Sequence, residues 1–145
     1  MRFLVAISGF VAAFVFVLAL AFAPAQAMEK DLVWQSVITK QIEAFRRGDA
    51  AGALGYAGSA FKAQYDDPNA FYADIKRMGY GPIVDSLSHS FGAFEQDSDA
   101  ANVVQVVTIL GPKQGLYEAV YQLRAEPDGW RVQGVFMRKQ EGVGV

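Results

Sequence analysis

Asn102-Val103-Val104-Gln105-Val106-Val107-Thr108-Ile109-Leu110 is a nearly unbroken run of β-branched and aliphatic residues, and two more strand-like runs come after it. Gly111-Pro112-Lys113-Gln114-Gly115 turns the chain, Leu116–Glu126 runs back, Pro127-Asp128-Gly129 turns again, and Trp130–Lys139 returns. Strand-forming residues separated by Gly/Pro turns predict three consecutive antiparallel strands. A fourth is predicted just upstream over Ser86–Glu95, where Leu87, His89, Phe91 and Ala93 alternate with Ser86, Ser88 and Ser90. So small a sheet is not stable alone in water, and the preceding residues must cover one of its faces.

Those residues read as helices. Trp34, Ile38, Ile42 and Phe45 recur at the spacing of one helical face within Leu32–Arg47, after Asp31 and before Gly48. A poorer helix runs from Asp49 through Ala57, weakened by Gly52 and Gly55, with one further turn over Ser59–Tyr65. Asp67-Pro68 starts a third helix whose buried face is Phe71, Ile75 and Met78, and Gly79-Tyr80-Gly81-Pro82 stops it. The expected fold is α+β: three N-terminal helices packed on a curved four-stranded antiparallel sheet.

The first 27 residues read as a targeting segment. Arg2 precedes the apolar run Phe3–Ala23, Pro24 breaks any helix, and Ala25-Gln26-Ala27 is a small-x-small cleavage pattern. Cleavage after Ala27 leaves Met28–Val145 as a single periplasmic or secreted domain. The alternative is an uncleaved inner-membrane anchor over residues 3–23, because the run reaches spanning length. Loss of Arg2 takes the net charge from −2 to −3. A weakly acidic domain whose basic residues cluster no further than the pairs Arg46-Arg47, Lys76-Arg77 and Arg138-Lys139 is not expected to bind nucleic acid. The absence of cysteine excludes disulfides and thiol chemistry.

Both faces of the last strand are half apolar: Trp130, Val132 and Phe136 on one, Val135 and Met137 on the other. One face meets the helices, and the other suggests a homodimer interface at Trp130, Val132 and Phe136. A three-residue loop at Pro127–Gly129 would set Glu126 opposite Trp130 and Glu118 opposite Arg138.

Candidate chemistry is sparse. His89 is the only histidine and shares a face with apolar residues, as a general base near neutral pH, a satisfied core histidine or a strand-end histidine pointing into water would. Tyr65, Phe71, Tyr72, Tyr80, Tyr117 and Tyr121 are candidates to line a pocket for a small apolar ligand, or simply to fill a core. Asp97-Ser98-Asp99 lacks the later oxygen ligands of a calcium loop, and Gly111–Gly115 does not lead into a helix as a phosphate cradle must. No metal and no cofactor is expected, and no catalytic residue is assigned.

Ala44-Phe45 and Gly48-Asp49 at the first helix end, Tyr80 with Pro82, Phe91-Gly92, and Asp128-Gly129-Trp130-Arg131-Val132 together resemble the nuclear transport factor 2-like fold. Within it the chain is similar to a proteobacterial envelope family, domain of unknown function 4864. Tyr80-Gly81-Pro82 departs from that family's more Tyr-Pro-rich segment. The resemblance implies a cone of helices over a bent sheet, a scaffold shared by enzymes and binding modules. Ketosteroid isomerase sets an Asp base and an oxyanion hole of Tyr and protonated Asp in such a cone. Here Ile42 and Phe45 fill the first helix's inner face, and Glu118 and Glu126 alternate with the inward strand positions. The expected role is therefore a non-catalytic binding module. An isomerase or lyase using a pocket around His89 is one alternative, and a structural dimer is the other.

Overall fold

The computed structural model describes residues 32–140; the leader expected over residues 1–27, the Asp31 cap and residues 141–145 lie outside that range. Helix α1 spans Val33–Arg46 and buries Trp34, Ile38, Gln41, Ile42 and Phe45 along one stripe. Complete burial of Ile38 and Ile42 contributes about 2 kcal/mol each to holding this helix on the sheet. Gly48, at φ +74°, ends it in the left-handed conformation that a side chain disfavours. The Asp49 carboxylate then accepts from the Gly52 N–H (2.9 Å) and starts α2, Ala50–Gly55. That bond holds the Asp49 carboxyl below its usual range, with Arg47 nearby adding to the effect.

Helix α3 is Ser59–Gln64 and α4 is Pro68–Ile75, the latter capped by Asp67 with Pro68 in its first turn. The expected stop after Met78 takes another form. Lys76–Tyr80 continues as a widened turn with Gly79 at φ +100°, and Gly81–Val84 makes one more helical turn, α5.

Strands β1 (Ser88–Gln96), β2 (Asn102–Leu110), β3 (Leu116–Glu126) and β4 (Gly129–Lys139) form one antiparallel sheet in sequence order. Val103, Gln105, Val107 and Ile109 of β2 and Ala119, Tyr121 and Leu123 of β3 bury the inner face. The edge at β4 is met by the link between α2 and α3: Val132 N–H donates to the Tyr56 carbonyl (2.9 Å) and Gly58 N–H to the Val132 carbonyl (2.9 Å).

Two bulges correct the simple alternation. In β1 the register shifts between Phe91 and Phe94, so Phe94 rather than Ala93 continues the inner row, opposite Gln105. In β4 it shifts at Gln133, between the pairs Leu123–Val132 and Gln122–Gly134. An extra residue exchanges the two faces of the strand beyond it. Trp130 and Val132 therefore lie on the inner face before the bulge, and Val135 and Met137 after it. Phe136 points to the other side.

The expectation that Trp130, Val132 and Phe136 share an exposed face is thus corrected. Trp130 packs edge-on against Trp34 (5.6 Å between centroids) and Val132 is buried, whereas Phe136 is 68% exposed. The hairpin loop is also shorter than expected. Glu126 pairs with Gly129, leaving a two-residue turn, and Ala125 rather than Glu126 faces Trp130.

Candidate functional site

The inner face of β3 and β4 is not fully covered by helix. Between it and α1, α3, α4 and the widened turn lies a cavity of about 410 Å³. Its helical wall is an aromatic cluster built around Phe71, whose ring meets Phe45 (6.0 Å), Phe61 (6.1 Å) and Tyr65 (5.4 Å). The sheet wall is Tyr121, Val132 and Val135. Ile75, Met78 and Ile83 continue the lining, with Met78 64% exposed at the rim. Among the described residues, no carboxylate, imidazole or amine lines it.

Gln64 and Gln122, both exposed, also line the cavity, and the remaining polar groups differ in how far they are committed. The Tyr65 hydroxyl donates to Asp74 (2.7 Å), itself paired with Arg77, and this bond raises the Tyr65 phenol above its usual value. The Tyr80 hydroxyl donates to the Val135 carbonyl (2.7 Å). Gln41, 5% exposed, gives its amide N–H to the Ala53 carbonyl (3.0 Å), and its amide oxygen has no partner among the described residues. Tyr121 is 1% exposed, and burial alone pushes its phenol up. Its hydroxyl has no hydrogen-bonding partner among the described residues.

Of the residues proposed from sequence, Tyr65, Tyr80 and Tyr121 meet at this cavity, together with Phe71. Tyr72 does not line it: its ring lies behind Phe45 (5.8 Å), and its hydroxyl donates to the Phe45 carbonyl (3.1 Å). Tyr117 is packed against the Gly111–Gly115 turn at the far end of the sheet. His89 is also elsewhere. It faces α1, shares a 2.9 Å hydrogen bond with Thr39 and packs edge-on against Phe91. His89 does not line this cavity.

Sequence reasoning passed over Gln41, although a signal was present. Position 41 lies three residues after Ile38 and seven after Trp34, so it falls on the buried stripe of α1.

His89 has a measurable consequence for stability. Burial lowers its pKa below the ordinary imidazole value, Glu43 opposes that shift and Arg46 adds to it. With the folded value below the unfolded one, the unfolded state takes up the proton first. The stability contributed by neutral His89 is then present above about pH 6.5 and is lost as pH falls through the folded value. Melting curves between pH 8 and pH 5 are expected to fall more steeply for the native protein than for His89→Gln. Parallel curves would contradict this.

No helix among the described residues is long and apolar enough to cross a membrane. Nor do three or more His, Asp or Glu side chains converge there as a metal site would require.

Comparison with known proteins locates the fold. A nuclear transport factor 2-like protein of unknown function from Silicibacter pomeroyi superposes with a TM-score of 0.52 at 11% identity, covering 79% of this chain and 98% of that one. A protein from Kribbella flavida gives 0.44 at 12% identity, over 74% of this chain and 86% of that one. No curated protein sequence matches. The family described as Domain of unknown function (DUF4864) matches residues 27–145, and the chain belongs to that family.

Proposed function

We propose that the protein acts by binding a small apolar molecule in the cavity between its helices and its sheet. The observation that carries this is a cavity of about 410 Å³ lined mainly by aromatic and aliphatic side chains. That volume lies within the ordinary range of ligand pockets. General acid–base chemistry needs a group within hydrogen-bond reach of the reacting atom, and the only histidine is held by Thr39 outside the cavity. Displacement of an environment-sensitive apolar fluorophore by small apolar compounds is the test. Saturable displacement is expected. Turnover of any compound that disappears in His89→Ala, with folding intact, would contradict the binding role.

In this reading the domain works in the cell envelope. Arg2, the apolar run to Ala23 and Ala25-Gln26-Ala27 support export. The intact mass of the protein recovered from cells is expected to match Met28–Val145. A full-length mass would favour the anchored alternative.

A second copy of the chain is the partner we propose for the outer face of the sheet. Val106, Val120 and Phe136 stand in register across β2, β3 and β4, with Gly92 of β1 beside Val106 and Val104 40% exposed on the same face. Such an apolar row on an outer sheet face fits a self-complementary two-fold contact. Phe136→Glu is expected to convert a dimer into a monomer in sedimentation velocity. A native protein that is monomeric at every concentration would remove this proposal.

A further inference from the structure

We infer that the cavity takes an uncharged, mainly apolar molecule bearing a single hydroxyl or carbonyl, which Tyr121 and Gln41 recognise by hydrogen bonding. This rests on the binding reading above and narrows it to a chemical class.

Charge sets the first constraint. With no basic side chain lining the cavity among the described residues, a bound carboxylate or phosphate would lose its water without gaining a counter-charge. A cation would meet the same obstacle, since the lining has no acid. Ligands that carry charge at neutral pH are thereby selected against.

The polar groups away from bulk water set the second, since Gln64 and Gln122 are exposed. Tyr65 and Tyr80 have already given their hydroxyl protons to Asp74 and to the Val135 carbonyl. Tyr121 has not. Tyr121 is buried on the sheet wall and lines the cavity, and burial keeps its phenol protonated and able to donate. The Gln41 amide oxygen, equally unclaimed, is an acceptor. Covering a polar group without pairing it is costly, so a ligand that supplies a partner gains more than one that cannot. A carbonyl accepts from Tyr121. A hydroxyl accepts from Tyr121 or donates to Gln41.

Size completes the class. The cavity has the liquid volume of about a dozen water molecules, which suits a compact ligand rather than a long lipid.

The test uses four probes of one chain length, 1-octanol, 2-octanone, octane and octanoate, each displacing the fluorophore from the purified protein at pH 8. 1-Octanol and 2-octanone are expected to bind best, octane about five- to tenfold more weakly, and octanoate at least about a hundredfold more weakly. Tyr121→Phe is expected to bring the ketone down to the octane value and to weaken the alcohol less, since Gln41 can still accept from it, while leaving octane unchanged, with the melting temperature as a check on folding. Octanoate binding as tightly as 1-octanol, or octane binding as tightly as both polar probes, overturns the inference while leaving the binding role in place. So does a ketone affinity unaffected in folded Tyr121→Phe. Binding by none of the four overturns the binding role itself, and this inference with it.

Discussion

Replacing Gln105 with Leu is expected to lower the melting temperature by roughly 15 °C or more, from a loss of about 3 kcal/mol. Gln105 is fully buried at the centre of β2, where a strand residue facing a helix is ordinarily apolar. Its amide oxygen accepts from the Trp34 indole (2.9 Å) and from Gln35 (3.1 Å), both on α1. Its amide nitrogen donates to the carbonyls of Gly92 (3.0 Å) and Val106 (2.9 Å), with Ala93 at 3.4 Å. One side chain thus ties the first helix to the sheet and serves the carbonyls that the β1 bulge frees from the ladder. Leu fills a similar volume but leaves the indole N–H and the bulge carbonyls buried without partners, and those groups bear the cost. Trp34→Phe removes one donor and some packing, so it is expected to cost less. Thermal unfolding of the two single variants and the double variant checks this, because residues sharing one network must be non-additive. A Gln105→Leu variant that melts within a few degrees of the native protein would show that the network is dispensable.

Val135→Trp is expected to abolish ligand binding, by about a hundredfold or more, without destabilising the protein. Val135 lies opposite Tyr121 on the inner face, and the Tyr80 hydroxyl bonds to its backbone carbonyl, which the substitution keeps. The new indole enters space that no side chain occupies, next to the hydroxyl that a ligand needs. Filling a cavity commonly adds about 0.5–2 kcal/mol of stability, so the melting temperature is expected to hold or rise. Calorimetric titration beside a melting curve separates the outcomes. Retained affinity in a folded variant would place the binding site elsewhere.

Much of this was legible in the sequence, and what was missed has a common cause. The four strands, the apolar stripe of α1 and the Asp67-Pro68 helix start follow from periodicity and capping chemistry. Bulges do not, because one extra residue leaves no composition signal. A strict alternation along β4 makes both of its faces half apolar, and that created an apparent need for an interface at Trp130 and Val132. The bulge at Gln133 answers it by turning Trp130, Val132, Val135 and Met137 to one side.

The pairing of Glu118 with Arg138 (2.9 Å) was expected from a three-residue loop. It occurs because a two-residue loop and a one-residue bulge shift the register by equal and opposite amounts. The expectation was met for the wrong reason.

At the cavity, Tyr65, Tyr80 and Tyr121 were legible as aromatic candidates. Which hydroxyl remained unpartnered was not, because that depends on the Val135 carbonyl and on Asp74 reaching two of the three. His89 drew notice as the only histidine, yet its strand position sets it against Thr39 of α1 and outside the cavity.

The most direct test of the central claim is methyl-resolved NMR of the protein titrated with 1-octanol. The binding account predicts saturable shifts at Ile75, Ile83, Val132 and Val135, which line the cavity, with Val104, Val106 and Val120 on the outer face unmoved. Shifts confined to the outer face, or none at all, would contradict it.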